Sequence, residues 1–237
     1  MAAVTSPTDL VGAVAERLAE VRARIGAVGR DPESVTVVAV TKGHGPEAAQ
    51  AAIANGLLDL GESYAQELMA KQAVLSEGGG PEPRWHFVGG IQRRKVRLLA
   101  PSIHLWQSVD RREVADQIAS RAPGAGVLVQ VSLSDAGGRS GCSPAEVPAI
   151  VSHATAAGLV VRGLMAVGPS AGGAEAARPG FRRVVAQARE LGLEDVSLGM
   201  SGDLDVALEE GTTMVRLGTS LFGPRQHDEP VGAWDNR

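Results

Sequence analysis

Eight short apolar runs, each bounded by turn residues and each followed by a helix-like segment, constrain this chain more than any other feature. The runs fall at about 35–41, 57–61, 85–89, 103–109, 127–133, 159–167, 195–200 and 213–218. Helix-like segments occupy about 46–55, 64–77, 91–100, 111–121, 144–157, 173–191 and 202–210, several opened by capping residues such as Asp110 or Ser143-Pro144. Runs such as VTVVAVT and VLVQVSL are continuously apolar rather than alternating, as expected of strands covered on both faces in a parallel sheet. Eight strand-helix units predict an α/β fold, a single-domain (β/α)8 TIM barrel. A doubly wound open sheet is the alternative that the same alternation allows.

With 237 residues, 44% of them hydrophobic, the chain is long enough for one sizeable core and short for two. The expected layout is an N-terminal helix over 1–30, a barrel over 31–225 and a polar tail over 226–237. The first segment carries Leu10, Val11, Val14, Leu18, Val21 and Ile25 at helical three-and-four spacing. Too little chain follows the eighth strand for a full closing helix, so this extra N-terminal helix is expected to pack where that helix is missing. The Gly- and Ala-rich segment Pro169–Gly180 is expected to be the mobile loop.

Composition removes several function classes. A net charge of -4 gives no electrostatic footprint for nucleic acid or an anionic membrane surface. A lone cysteine, Cys142, excludes an internal disulfide framework and a cysteine-rich zinc site, and it fits a reducing compartment. No stretch approaches the roughly 18 apolar residues of a membrane span, and no basic segment precedes an apolar core at the start. The expectation is a cytoplasmic, soluble protein without a bound metal.

In such a barrel, working residues sit at the carboxyl ends of strands, and phosphate binds in the loops after strands 7 and 8. Lys42 ends an apolar run, where low-dielectric walls would depress its pKa and favour the free amine that imine formation requires. A lysine snorkelling out of the barrel mouth is the alternative. The chain has only two other lysines. Lys71 follows Glu67 by four residues and reads as a surface ion pair, and Lys95 reads as a solvated helix start. The segments Leu198-Gly199-Met200-Ser201-Gly202-Asp203 and Arg216-Leu217-Gly218-Thr219-Ser220 combine small residues, hydroxyls and bare backbone N–H groups at the two phosphate positions. Ordinary turn and cap chemistry accounts for either one alone. Arg216 shares a strand face with Gly218, and if that face is interior its charge needs a partner: a pyridine nitrogen, or a carboxylate such as Glu62. His86 reads as a hydrogen-bonded core histidine, and Cys142 has no base beside it.

The segments Ala39-Val40-Thr41-Lys42, Gly61-Glu62-Ser63-Tyr64-Ala65-Gln66-Glu67, Trp85-His86-Phe87-Val88-Gly89, Arg162-Gly163-Leu164-Met165, Leu198-Gly199-Met200-Ser201 and Met214-Val215-Arg216-Leu217-Gly218-Thr219 come in a characteristic order. In this the chain resembles the pyridoxal phosphate homeostasis protein family, whose barrel is like the N-terminal domain of alanine racemase. The resemblance implies pyridoxal 5'-phosphate (PLP) as cofactor, with Lys42 as the aldimine lysine. It also implies phosphate held near Ser201, Gly218 and Thr219, Arg216 facing the ring nitrogen, and Ser63, His86 and Met200 as further cofactor neighbours. Three positions depart from the family pattern: Ser63 replaces asparagine, Gly43-His44 replaces Thr-Lys, and Arg139 replaces lysine. A second amine for handing over the cofactor is absent at the last two.

PLP racemases and decarboxylases with this barrel carry a second, β-rich domain and a tyrosine opposite the lysine. This chain is expected to lack both, since its one tyrosine, Tyr64, falls at the end of strand 2. A permanent cation on the ring nitrogen also weakens the ring as an electron sink. The expected function is that of a monomeric PLP carrier in vitamin B6 homeostasis, with no catalytic residue and with apo forms of PLP enzymes as candidate recipients. The alternatives are a weak PLP-dependent racemase or lyase using Lys42 and, from another class, a phosphosugar-binding aldolase or isomerase.

Overall fold

A computed structural model describes residues 7–133, 141–169 and 171–224. Its eight strands are β1 (Thr36–Val40), β2 (Asp59–Glu62), β3 (Arg84–Phe87), β4 (Ile103–Val109), β5 (Gly126–Val131), β6 (Val160–Ala166), β7 (Asp195–Ser197) and β8 (Met214–Leu217). All neighbouring pairs are parallel, and β8 pairs back onto β1 with Thr36 beside Met214 and Ala39 beside Leu217. That closure removes the open-sheet alternative. The helices are α1 (Pro7–Ala27), α2 (Pro46–Ala54), α3 (Ala65–Glu77), α4 (Arg93–Leu99), α5 (Arg112–Ala119), α6 (Val147–Ala156), α7 (Arg178–Glu190), α8 (Leu204–Glu210) and α9 (Thr219–Phe222).

The period of two sorts each strand between two cores. On β1, Val37 and Ala39 join the large apolar layer between strands and helices. Val38 and Val40 turn inward, where they meet Leu105, Leu128, Met165 and Met214 in a small plug. Continuous apolar runs are therefore what this geometry demands. Among the described residues, no helix is long and apolar enough to cross a membrane.

Behind β8 the chain supplies only the four-residue α9, and α1 lies against both α2 and α9. Val14, Leu18, Val21 and Ile25 are buried in that seam, each contributing on the order of 1.5–3 kcal/mol relative to exposure. Polar ties fix the helix in place: Arg17 Nη1 donates to the Leu221 carbonyl at 2.9 Å, and Asn55 Nδ2 to the Val11 carbonyl at 3.0 Å.

The mobile loop expected over Pro169–Gly180 is a correction. From Ala174 the chain forms a 3-10 turn that runs directly into α7. Arg178 pins it by donating to Glu175 at 2.7 Å, Glu209 at 2.7 Å and Glu210 at 3.1 Å, and Gly180 is buried against Leu133. The expected tail over 226–237 and the Arg139 departure lie outside the described residues.

Candidate cofactor site

At the carboxyl end of the barrel a cavity of about 430 Å³ opens between the loops that follow β1, β3, β6, β7 and β8. Six of the eight expected cofactor residues line it: Lys42, Met200, Ser201, Arg216, Gly218 and Thr219. Lys42 stands two residues beyond Val40, continuing the inward phase of β1. Its backbone is clamped on both sides. The Thr41 N–H donates to Gly61 O at 3.0 Å, and the Gly43 N–H donates to Glu67 Oε2 at 2.8 Å.

Behind Lys42 sits a feature that the sequence reading misplaced. Lys71 is no surface lysine but 3% exposed, bonded to the carboxylate of the fully buried Glu62 and donating to Thr41 O at 2.7 Å. Glu67, its expected partner, is 3.5 Å away. Thr41 Oγ1 donates to Glu62 Oε1 at 2.9 Å. Burial pushes the Glu62 carboxyl above its ordinary pKa, against the pull of the Lys71 charge.

The loops after β7 and β8 are joined to each other. Ser201 Oγ and Ser220 Oγ are 2.7 Å apart, and the Ser220 N–H donates to Ser201 Oγ at 3.2 Å. The first loop turns at Gly199 with φ +90°, where a Cβ would lie 2.6 Å from the Ala207 methyl, so only glycine fits. Asp203 Oδ1 then accepts from the Met200 N–H at 2.6 Å and closes the turn. Gly218 lets the second loop approach β1, since a Cβ there would meet Val40 O at 3.1 Å.

Arg216 forms the floor. Its Nη1 donates to Ser197 O at 2.7 Å and Ser197 Oγ at 2.6 Å, and its Nη2 donates to Ala166 O at 2.8 Å. Among the described residues it makes no ion pair, so the carboxylate alternative for this arginine falls, and Glu62 is committed to Lys71. Burial lowers its pKa to about 10, which leaves it protonated at neutral pH. Three of the five N–H groups that a guanidinium carries are taken by these oxygens, which leaves two uncommitted donors in a side chain lining the cavity. A primary amine, uncommitted donors on a buried cation and a hydroxyl-bearing pair of loops fit an aldehyde-bearing, phosphorylated pyridine.

Ser63 and His86 are placed elsewhere. Ser63 lies in the turn between β2 and α3, its N–H donating to Glu62 Oε2 at 3.1 Å. His86 sits deeper in the barrel, 1% exposed, with its ring nitrogens 3.0 Å from Asp59 Oδ1 and 2.8 Å from Gln107 Nε2. It is the hydrogen-bonded core histidine of the sequence reading rather than a cavity wall. Conversely His44, noted only as a family departure, lines the cavity, its ring packed at 5.5 Å on Phe222. Its place two residues after Lys42 was the available signal. Tyr64 is 57% exposed and outside the cavity lining, and Cys142 is buried, its thiol pushed up to about 12 mainly by that burial.

Residues 11–226 match the family described as "Alanine racemase, N-terminal domain". The pyridoxal phosphate homeostasis protein of Pseudomonas aeruginosa is 38% identical over 229 residues, covering 92% of this chain and 98% of its own length. The chain belongs to the pyridoxal phosphate homeostasis protein family. The family's Escherichia coli member is 35% identical over 237 residues, 91% of this chain and 98% of that protein. Among solved structures, PipY of Synechococcus elongatus with PLP bound superposes with a TM-score of 0.77 at 33% identity, covering 89% of this chain and all of PipY. A Clostridium difficile alanine racemase, at 16% identity and a TM-score of 0.68, shares the fold of this family's barrel over 58% of its length.

Proposed function

We propose that this chain binds PLP in the cavity above Arg216 and holds it for vitamin B6 homeostasis without turning over amino acids efficiently. The observation that carries the reading is the meeting of Lys42 and a buried arginine with uncommitted N–H donors in one cavity walled by two small-residue loops. The names of the bacterial relatives and the PLP-bound state of PipY support it.

When bound, PLP supplies an aldehyde that condenses with an amine and a pyridine ring that withdraws electrons. Lys42 is the amine, presented from a backbone held by Glu67 and by the Thr41-Glu62-Lys71 cluster. Ser201, Gly218 and Thr219 contact the phosphate, with Met200 beside the ring. Arg216 donates to the ring nitrogen, and its fixed charge disfavours a proton there, which weakens the ring's pull on electrons at a substrate carbon. The site is formed from one chain, consistent with a monomer, and a single buried thiol suits the cytoplasm. Apo PLP enzymes are the proposed recipients.

The test is α-proton exchange of L- and D-alanine in heavy water. Rates comparable to free PLP support a carrier, while rates thousands of times higher would establish a racemase or lyase.

A further inference from the structure

Arg216 is held by more than its immediate neighbours. Its Nη1 donates to Ser197 Oγ at 2.6 Å, and Ser197 Oγ donates to Gln107 Oε1 at 2.7 Å. Gln107 Nε2 in turn lies 2.8 Å from His86 Nδ1 and 3.1 Å from Met214 Sδ. Both of those atoms accept, which fixes the amide orientation and puts the ring proton of His86 on Nε2. That proton points at Asp59 Oδ1, 3.0 Å away. The row passes from β8 through β7, β4 and β3 to the first residue of β2, and every donor along it points the same way, toward a carboxylate.

The environment makes this arrangement consequential. Gln107 and Ser197 are fully buried and His86 is 1% exposed. Asp59 lies at the opposite end of the barrel from the cavity, where Arg84 also donates to it at 2.6 Å and 2.8 Å. Burial works against the Asp59 charge, but the hydrogen bonds from His86 and Arg84 outweigh it and hold the carboxyl well below the usual carboxylate range. Aligned hydrogen bonds in a low-dielectric interior polarise one another. A row ending on a fixed negative charge therefore strengthens the acceptor that Arg216 meets at Ser197 and restricts the plane of the guanidinium.

We propose that Gln107, His86 and Asp59 are positioning residues for the cofactor, acting through Ser197 to orient Arg216 and so to aim its uncommitted N–H donors at the pyridine nitrogen. This rests on the reading of Arg216 given above. It assigns His86 and Gln107 a role toward the cofactor without contact with it, and it explains how a barrel interior of this size accommodates a cation without an ion pair.

The test compares the affinity for PLP with that for 1-methyl-PLP, whose ring nitrogen has no lone pair to accept a hydrogen bond. The wild-type protein should prefer PLP. Gln107→Leu, an apolar replacement of similar size, breaks the row at its centre and should lower that preference about tenfold, chiefly by weakening PLP binding; Asp59→Asn removes the terminal charge and should lower it roughly threefold. A general loss of structure would weaken both ligands alike and leave the ratio unchanged. A ratio unchanged in both variants, or in Asp59→Asn alone should Gln107→Leu not fold, overturns the inference. A wild-type protein without preference overturns it together with the role of Arg216 at the ring nitrogen, whereas preserved preference in the variants overturns the row alone.

Discussion

The amine of Lys71 donates to the carbonyl oxygen of Thr41 at 2.7 Å, so the residue that precedes Lys42 is anchored by a lysine from outside the barrel wall. The same amine neutralises Glu62, and neither side chain reaches the cavity. Two of the three lysines in the chain thus do opposite things: one lines the site and the other is sealed behind it.

Removing one member of that sealed pair leaves the other buried without an opposite charge. Lys71→Met should cost about 3–5 kcal/mol in unfolding free energy, read from denaturant melts. Lys71→Met combined with Glu62→Leu should recover a large part of the loss. A cost for the single variant below about 1 kcal/mol, the range of exposed pairs, would contradict the burial seen here.

Asp59 predicts an acid limb in the stability curve. Its carboxyl titrates below the ordinary value in the folded protein, so its contribution is fully present above the unfolded-state pKa, about 3.9. That contribution is lost as pH falls toward the folded value. Asp59→Asn should flatten the fall in stability below about pH 4, and superimposable acid profiles for the two proteins would contradict the assignment.

Glycines in the loop after β7 separate by geometry. Gly199 combines a positive φ with a methyl 2.6 Å from where its Cβ would stand, whereas a Cβ on Gly202 meets nothing within 4 Å. Gly199→Ala should destabilise by about 2–4 kcal/mol and weaken PLP binding through Met200 and Ser201. Gly202→Ala should leave the melting temperature nearly unchanged. Equal melting temperatures for the two variants would contradict this account.

Much of this was legible in the sequence because barrel geometry leaves few choices. Apolar runs covered on both sides can only be interior parallel strands, and the phase of Arg216 relative to Gly218 turns it toward the lumen. Lys71 was not legible: a Glu67-Lys71 spacing of four is the same on a surface helix as on one whose lysine turns inward. Only the approach of α3 to β2, which brings Glu62 within reach, distinguishes them. His86 was placed correctly as a core residue and wrongly as a cofactor neighbour, because strand register, which sequence does not record, puts it a layer below the cavity. The row from Arg216 to Asp59 joins residues up to 157 positions apart in the 237-residue chain, and no local pattern signals it.

The central claim is that Lys42 is the amine that takes PLP, and borohydride reduction of the PLP-loaded protein, followed by intact-mass measurement and peptide mapping, tests it most directly. The account predicts one pyridoxyl phosphate adduct, on Lys42, and none in Lys42→Ala. An adduct on Lys71 or Lys95, or no adduct on the wild-type protein, would contradict it.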